Sequence, residues 1–107
     1  MVLLYINKYI YKGGFYISLF VGGWSKFKAV EEEDLKVFNE AVGMLKGVDY
    51  EPLIVATQVV AGTNFKFICN ATSVTNPPHN YLAEIIVFKP LPCDEHDATV
   101  TSINIIK

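Results

Sequence analysis

The sequence predicts an α+β domain in which one α-helix packs on a four- to five-stranded antiparallel β-sheet. Residues 31–46 have helical periodicity, and four segments after residue 47 have the composition of β-strands. Short turn segments separate these strands, which is typical of antiparallel hairpins. A single helix against such a run of hairpins gives the α+β class.

The composition is that of one globular domain. The chain has 107 residues, of which 51% are hydrophobic and 19% are charged. This balance is too apolar and too weakly charged for a disordered chain. The 9 Lys and Arg residues against 11 Asp and Glu residues give a net charge of -2. Nucleic-acid-binding domains usually have a basic excess, so we expect no nucleic-acid partner.

Residues 1–21 are unusually apolar. Their longest apolar stretches, Met1–Ile6 and Phe15–Val21, are much shorter than the ~20 residues that span a bilayer. We interpret residues 1–21 as an extension or an added strand. A signal or anchor segment and a misassigned start are the alternatives, because Lys8 and Lys12 precede the second apolar stretch.

The helix is predicted over Glu31–Lys46. Its apolar residues recur at spacings of three and four, which places one stripe along one face. The first turn is acidic, as the helix dipole favours, and Gly47 is in the position expected for the residue that ends the helix. The stripe consists of Leu35, Phe38, Val42 and Leu45.

Four strands are predicted after the helix. Pro52 places the beginning of the first strand at a sheet edge, because proline cannot donate a ladder hydrogen bond. In the second strand, apolar residues such as Phe67 and Cys69 occupy alternate positions, which indicates one buried face. The predicted strands are Tyr50–Ala61, Asn64–Val74, Tyr81–Lys89 and Ala98–Ile106.

One hairpin combines small apolar residues with a glycine. The segment Gln58–Asn64 joins the first two strands, and Val60 and Ala61 are apolar at a position where turns favour polar residues. Gly62 can supply the positive φ that a tight turn needs. By itself, this pattern indicates only a strand end with a glycine turn.

The same hairpin resembles the cystatins, which inhibit papain-like cysteine proteases. Gln58, Val60 and Gly62 match the Gln-x-Val-x-Gly signature that the family has in its first hairpin. A glycine pair, Gly22 and Gly23, precedes the helix, as in the N-terminal trunk of the family. The elements occur in the family's order, which makes the resemblance more specific than the short signature alone.

The second hairpin is similar to that of the stefins, the single-chain intracellular members of the family. Val87–Pro92 resembles their Val-Phe-Lys-x-Leu-Pro run, and the chain lacks the four cysteines and the Pro-Trp pair of the secreted cystatins. Cys93 departs from the stefin pattern, which has glycine there, and so do the 21 residues before the trunk glycines. The resemblance covers residues 22–107 and implies a cystatin-like domain in a cytoplasmic protein, or a secreted one if residues 1–21 act as a signal.

The function that the resemblance implies is reversible, non-covalent occlusion of a protease active-site cleft. The trunk, with Phe20 and Val21 as apolar anchors, and the two hairpins would lie at one edge and enter the cleft of a cathepsin-type protease. No catalytic residue, metal or cofactor is implied, and the alternative is a cystatin-fold binding module that does not inhibit. We expect a monomer that can form a domain-swapped dimer. The protease-binding residues implied by the family are Val21, Gly22, Gly23, Gln58, Val59, Val60, Ala61, Gly62, Leu91 and Pro92.

The cysteines and histidines are not expected to form a site. Cys69 and Cys93 are predicted as free thiols, because their places in the predicted sheet are farther apart than the ~7 Å between Cα atoms that a disulfide allows. His79 and His96 lie in polar loops at opposite ends of the predicted hairpins, so we do not expect a catalytic Cys–His pair.

Overall fold

The computed structural model describes residues 23–107 and confirms the α+β class, since one helix packs on a five-stranded antiparallel sheet. The elements are β1 (Lys28–Ala29), α1 (Glu32–Val42), β2 (Val48–Val60), β3 (Gly62–Ser73), β4 (Asn80–Lys89) and β5 (Thr99–Ile105). Neighbours in the sheet are also neighbours in the chain, and α1 packs against β2, β4 and β5. The interpretation of residues 1–21 as an extension or strand lies outside the described residues.

The four long strands agree with the prediction to within two residues at each end, and the fifth strand is β1. Lys28 pairs with Val55 and Ala29 pairs with Ile54, so β1 covers only a short part of the outer edge of β2. The prediction for Pro52 is confirmed: no described strand pairs with the outer side of β2 before Ile54, so the residue lies where the beginning of β2 is a sheet edge. It is next to a register irregularity between Pro52 and Ile54, where the ladder tolerates proline.

The helix ends at Val42, four residues before the predicted end. Gly43 follows it, and a glycine inside a helix costs about 1 kcal/mol relative to alanine. Gly47 does not end the helix as predicted; its φ of 93° turns the chain into β2. Leu35 and Leu45 of the predicted stripe are each 39% exposed. The described part of the chain contains no helix with the length and apolar character required to cross a membrane.

Asp34 anchors the beginning of the helix, where its side chain is buried. Its carboxylate accepts a hydrogen bond from the Lys28 Nζ at 2.7 Å and another from the Glu31 backbone N–H at 3.0 Å. The hydrogen bond to Asp34 is the main cause that raises the pKa of Lys28. These contacts tie β1 to the first turn of α1.

The core lies between α1 and one face of the sheet. The Phe38 ring of α1 meets the Phe67 ring edge-on, with 4.9 Å between the centroids. Phe65 stacks on Phe67 at 5.9 Å. The alternation predicted for the second long strand is confirmed, because Phe67, Cys69 and Ala71 are fully buried on the side of the helix.

The two cysteines are free, as predicted, and we expect them to react at very different rates. Burial raises the pKa of the Cys69 thiol to about 12, whereas Cys93 is exposed in the loop after β4. Because the thiolate is the reactive form, DTNB at neutral pH should modify only Cys93 in the native protein and both thiols in denaturant. The Cys93→Ser variant should have no rapidly reacting thiol, and a fast native reaction there would contradict the burial of Cys69.

Candidate functional site

The chain directly after Gly23 runs alongside the first hairpin, which is formed by β2 and β3. Trp24 makes an antiparallel bridge with Gln58. The Ser25 backbone N–H donates to the Thr57 carbonyl at 2.8 Å, and the Thr57 N–H donates to the Ser25 Oγ at 2.9 Å. Two hydrogen bonds between the same residues therefore fix this segment to the edge of β2.

The first hairpin turns over one residue. β2 ends at Val60, β3 begins at Gly62, and Ala61 connects them. Pairing continues to the tip, where Val60 lies opposite Gly62. Ala61 is exposed, and Val59 and Val60 are half-buried. The tip is therefore narrow and apolar.

Gln58 supports the base of this tip. It lies opposite Asn64 in the register of β2 and β3, and the Asn64 Nδ2 donates to the Gln58 Oε1 at 2.8 Å. Cross-strand pairs of this kind stabilise a hairpin by up to about 1 kcal/mol. The first residue of the signature thus has a structural role in holding the two strands together below the turn.

Gly62 is required by the fold itself. Its φ is 124°, which confirms the predicted positive value and is a conformation that other residues rarely adopt. A β-carbon at this position would lie 2.6 Å from the Lys89 carbonyl oxygen and 2.8 Å from a Phe88 ring carbon. Gly62 is also buried, so a substitution there would disturb the contact between the hairpin and β4. Ala61 is the residue that can be changed without disturbing this contact.

The loop between β4 and β5, which we call the second loop, lies beside the first hairpin. Lys89 at the end of β4 pairs with Thr63, so β4 leads the second loop to the hairpin tip. A depression of about 420 Å³ lies between the first hairpin and the second loop. Leu91 and Pro92 are exposed, and 47% of Leu91 is accessible. The depression is lined by Gly62, Thr63, Lys89, Pro90, Leu91, Pro92, Asp94 and His96.

Hydrogen bonds within the second loop hold its shape. The Asp94 N–H donates to the Leu91 carbonyl at 2.9 Å. His96 donates to the Asp94 carboxylate from its backbone N–H at 2.9 Å and from its ring Nδ1 at 2.6 Å. Both hydrogen bonds lower the pKa of Asp94, and the one from the His96 backbone has the larger effect. Leu91 therefore lies in a turn that is closed by hydrogen bonds, with its side chain exposed.

An ion pair connects the helix to the beginning of the second loop. The Lys89 Nζ donates to the Glu40 Oε1 at 2.9 Å. This hydrogen bond is the main cause that lowers the pKa of Glu40. Because Lys89 is the last residue of β4, the contact holds the strand end, and the loop after it, against α1.

The structure places eight of the predicted binding residues at one end of the sheet. Val21 and Gly22 lie outside the described residues. Sequence analysis missed Trp24, Ser25 and Thr57, although Trp24 directly follows the glycine pair and is the only tryptophan in the chain. The predicted residues found at this end are Gly23, Gln58, Val59, Val60, Ala61, Gly62, Leu91 and Pro92.

The histidines lie at opposite ends of the sheet, as predicted. The His79 N–H donates to the Ser73 Oγ in the turn after β3, whereas His96 belongs to the second loop. Among residues 23–107, no group of three or more His, Cys, Asp or Glu side chains could hold a metal ion.

No family model, curated protein or solved structure matches this chain. The observations that bear on function are therefore the three sequence elements and their arrangement at one end of the sheet.

Proposed function

We propose that this protein is a reversible, non-covalent inhibitor of papain-like cysteine proteases, with a cystatin-like fold of the stefin type. One observation carries the proposal: the two hairpins that resemble cystatin elements and the chain that follows the trunk glycines are far apart in the sequence but lie at one end of the sheet. These are the segment after Gly23, the tip of the first hairpin and the second loop. A stefin-type inhibitor would act in the cytoplasm, and the intact mass of the native protein tests whether residues 1–21 are removed as a signal would be.

The proposed mechanism is occlusion of the cleft by a narrow apolar edge, which we call the wedge. Its tip is one residue wide at Ala61 and has no large side chain that a cleft would exclude. Leu91 adds apolar contact area from the second loop. Hydrogen bonds hold the first hairpin and the second loop in shape before binding. Little conformational entropy is therefore lost on association. The wedge consists of Gly23, Val59, Val60, Ala61, Leu91 and Pro92.

The glycine pair explains why the inhibitor would not be cleaved. In this mechanism Phe20 and Val21 occupy a substrate pocket, and Gly22 and Gly23 let the chain turn away before a peptide bond reaches the catalytic thiolate. Glycine suits this role because it adopts backbone conformations that other residues avoid. No bond is made or broken, so inhibition is reversible.

Titration of active papain with the intact protein tests this function. Hydrolysis of a fluorogenic peptide should fall to zero at one inhibitor per active site and should recover on dilution, and trypsin should be unaffected. If papain keeps full activity at micromolar inhibitor, the proposal is wrong and a non-inhibitory binding module is favoured.

Truncation of Leu91 should weaken inhibition without loss of stability. Leu91→Ala is expected to reduce the free energy of papain binding by about 1–2 kcal/mol, as for a moderate interface contact. Leu82→Ala is the matched control, because Leu82 is 37% exposed and lies near the opposite end of β4. Inhibition constants and melting temperatures of both variants should be compared. Equal inhibition by the two variants would exclude the second loop from the interface.

A further inference from the structure

We propose that Trp24 is a positioning residue that holds the trunk in place for protease binding, a role that rests on the proposed function. The Lys66 Nζ lies 4.2 Å from the centroid of the Trp24 ring, within the range of a cation–π interaction. Trp24 bridges β2 at Gln58, whereas Lys66 lies on β3 opposite Ala56. The contact between the two side chains therefore spans β2.

Burial on the outer face of the sheet supports this contact. Val55 faces the core, so the next residue, Ala56, faces away from the helix. Ala56 is nevertheless only 1% exposed, and it lies opposite Lys66 and two residues from Gln58, the partner of Trp24. This burial is consistent with a covered outer face at the contact, while 38% of Trp24 remains accessible.

Backbone hydrogen bonds fix the next residue at the strand edge. Ser25 exchanges two hydrogen bonds with Thr57, while Trp24 is held through its ring. The side chain of one residue and the backbone of the next thus fasten this segment to β2 at two points. Gly23, the residue before Trp24, is consequently held at the edge of β2 near the hairpin tip.

The ring contact sets the distance over which a trunk anchor can be held. An extended chain of three residues, from Trp24 to Val21, reaches at most about 10 Å. If the ring contact is lost, the hydrogen bonds of Ser25 remain, and the reach from Ser25 to Val21 is about 14 Å. The larger volume would lower the effective concentration of the anchor at the cleft by about two- to threefold.

The fluorescence of Trp24 tests the attachment in the free protein. Trp24 is the only tryptophan, so quenching by acrylamide reports on this residue alone. Quenching should be weaker in the native protein than in denaturant, and stronger in native Lys66→Ala than in native Lys66→Arg. Equal quenching of the native and denatured wild type would overturn the proposal.

Inhibition constants for papain test the positioning role. Trp24→Ala should raise the constant by about two- to threefold, Lys66→Ala should raise it without altering the ring, and Lys66→Arg should inhibit like the wild type. If Trp24→Ala does not fold, comparison of Lys66→Ala with Lys66→Arg still tests the positioning role. Val21→Ala should cost a smaller factor in the Trp24→Ala background than in the wild type, because the trunk is already displaced there.

Three outcomes separate the positioning role from the proposed function. An equal loss from Val21→Ala in both backgrounds, or no loss from Trp24→Ala and Lys66→Ala, would overturn the positioning role alone. Absence of papain inhibition by the wild type would overturn the proposed function, and the positioning role with it.

Discussion

Ala61→Trp is expected to raise the inhibition constant for papain by more than about 100-fold without changing the melting temperature. Ala61 is exposed at the one-residue turn between β2 and β3, so the added indole replaces no buried side chain in the free protein. In the complex, the same indole would be forced into the narrowest part of the cleft. Inhibition assays and thermal unfolding followed by circular dichroism measure the two effects separately.

Two control variants separate the effect of an added ring from the effect of a disturbed fold. Val74→Trp adds the same ring at a 65% exposed position in the turn at the opposite end of the sheet, and it should inhibit like the wild type. Gly62→Ala should lower the free energy of unfolding by roughly 1–3 kcal/mol, as for a residue forced into a strained backbone conformation. If Ala61→Trp folds and inhibits fully, the hairpin tip does not enter the cleft.

Mild heating is expected to convert part of the protein to a dimer that does not inhibit. Ala61 joins two long strands, and the β-branched residues Val59 and Val60 before it favour an extended backbone. If this hinge opens, β2 and β3 become one continuous strand, and α1 packs on the sheet of a second copy. The swapped dimer recovers the core contacts, but it no longer has the hairpin tip.

Size-exclusion chromatography followed by papain titration of each peak measures this effect. The monomer peak should inhibit and the dimer peak should not. Insertion of two glycines after Ala61 should lower the yield of dimer, because short hinge loops under strain favour swapping. A dimer peak with full inhibition per chain would exclude a swap through this hinge.

The sheet was predictable from sequence because one of its faces is buried. A shift of one residue would move Phe67, Cys69 and Ala71 from the core to solvent, so the alternation specifies the strand and its orientation. The helix end was not predictable, since Gly43 and Gly47 are both plausible terminators. Only the structure shows that the chain leaves the helix at the first of these glycines.

The candidate site was predictable only where residues close in sequence form it. The first hairpin was visible because Gln58 to Gly62 are contiguous and resemble a signature. The contact of Trp24 with Lys66 could not be foreseen, because it joins the trunk segment to a strand that is not its neighbour in the sheet. The closeness of the Lys89 carbonyl to Gly62 also arises from pairing between β3 and β4, which local sequence does not reveal.

The close approach of backbone at Gly62 makes the first hairpin stiff in one direction. A tip that enters a cleft experiences a sideways force, and an ordinary hairpin would bend by compressing the side chains beneath it. Gly62 has no side chain to compress, and the Lys89 carbonyl already lies at its surface. Bending toward β4 is therefore resisted at once by repulsion between the backbones of Gly62 and Lys89. The missing side chain thus makes the hairpin stiff toward β4.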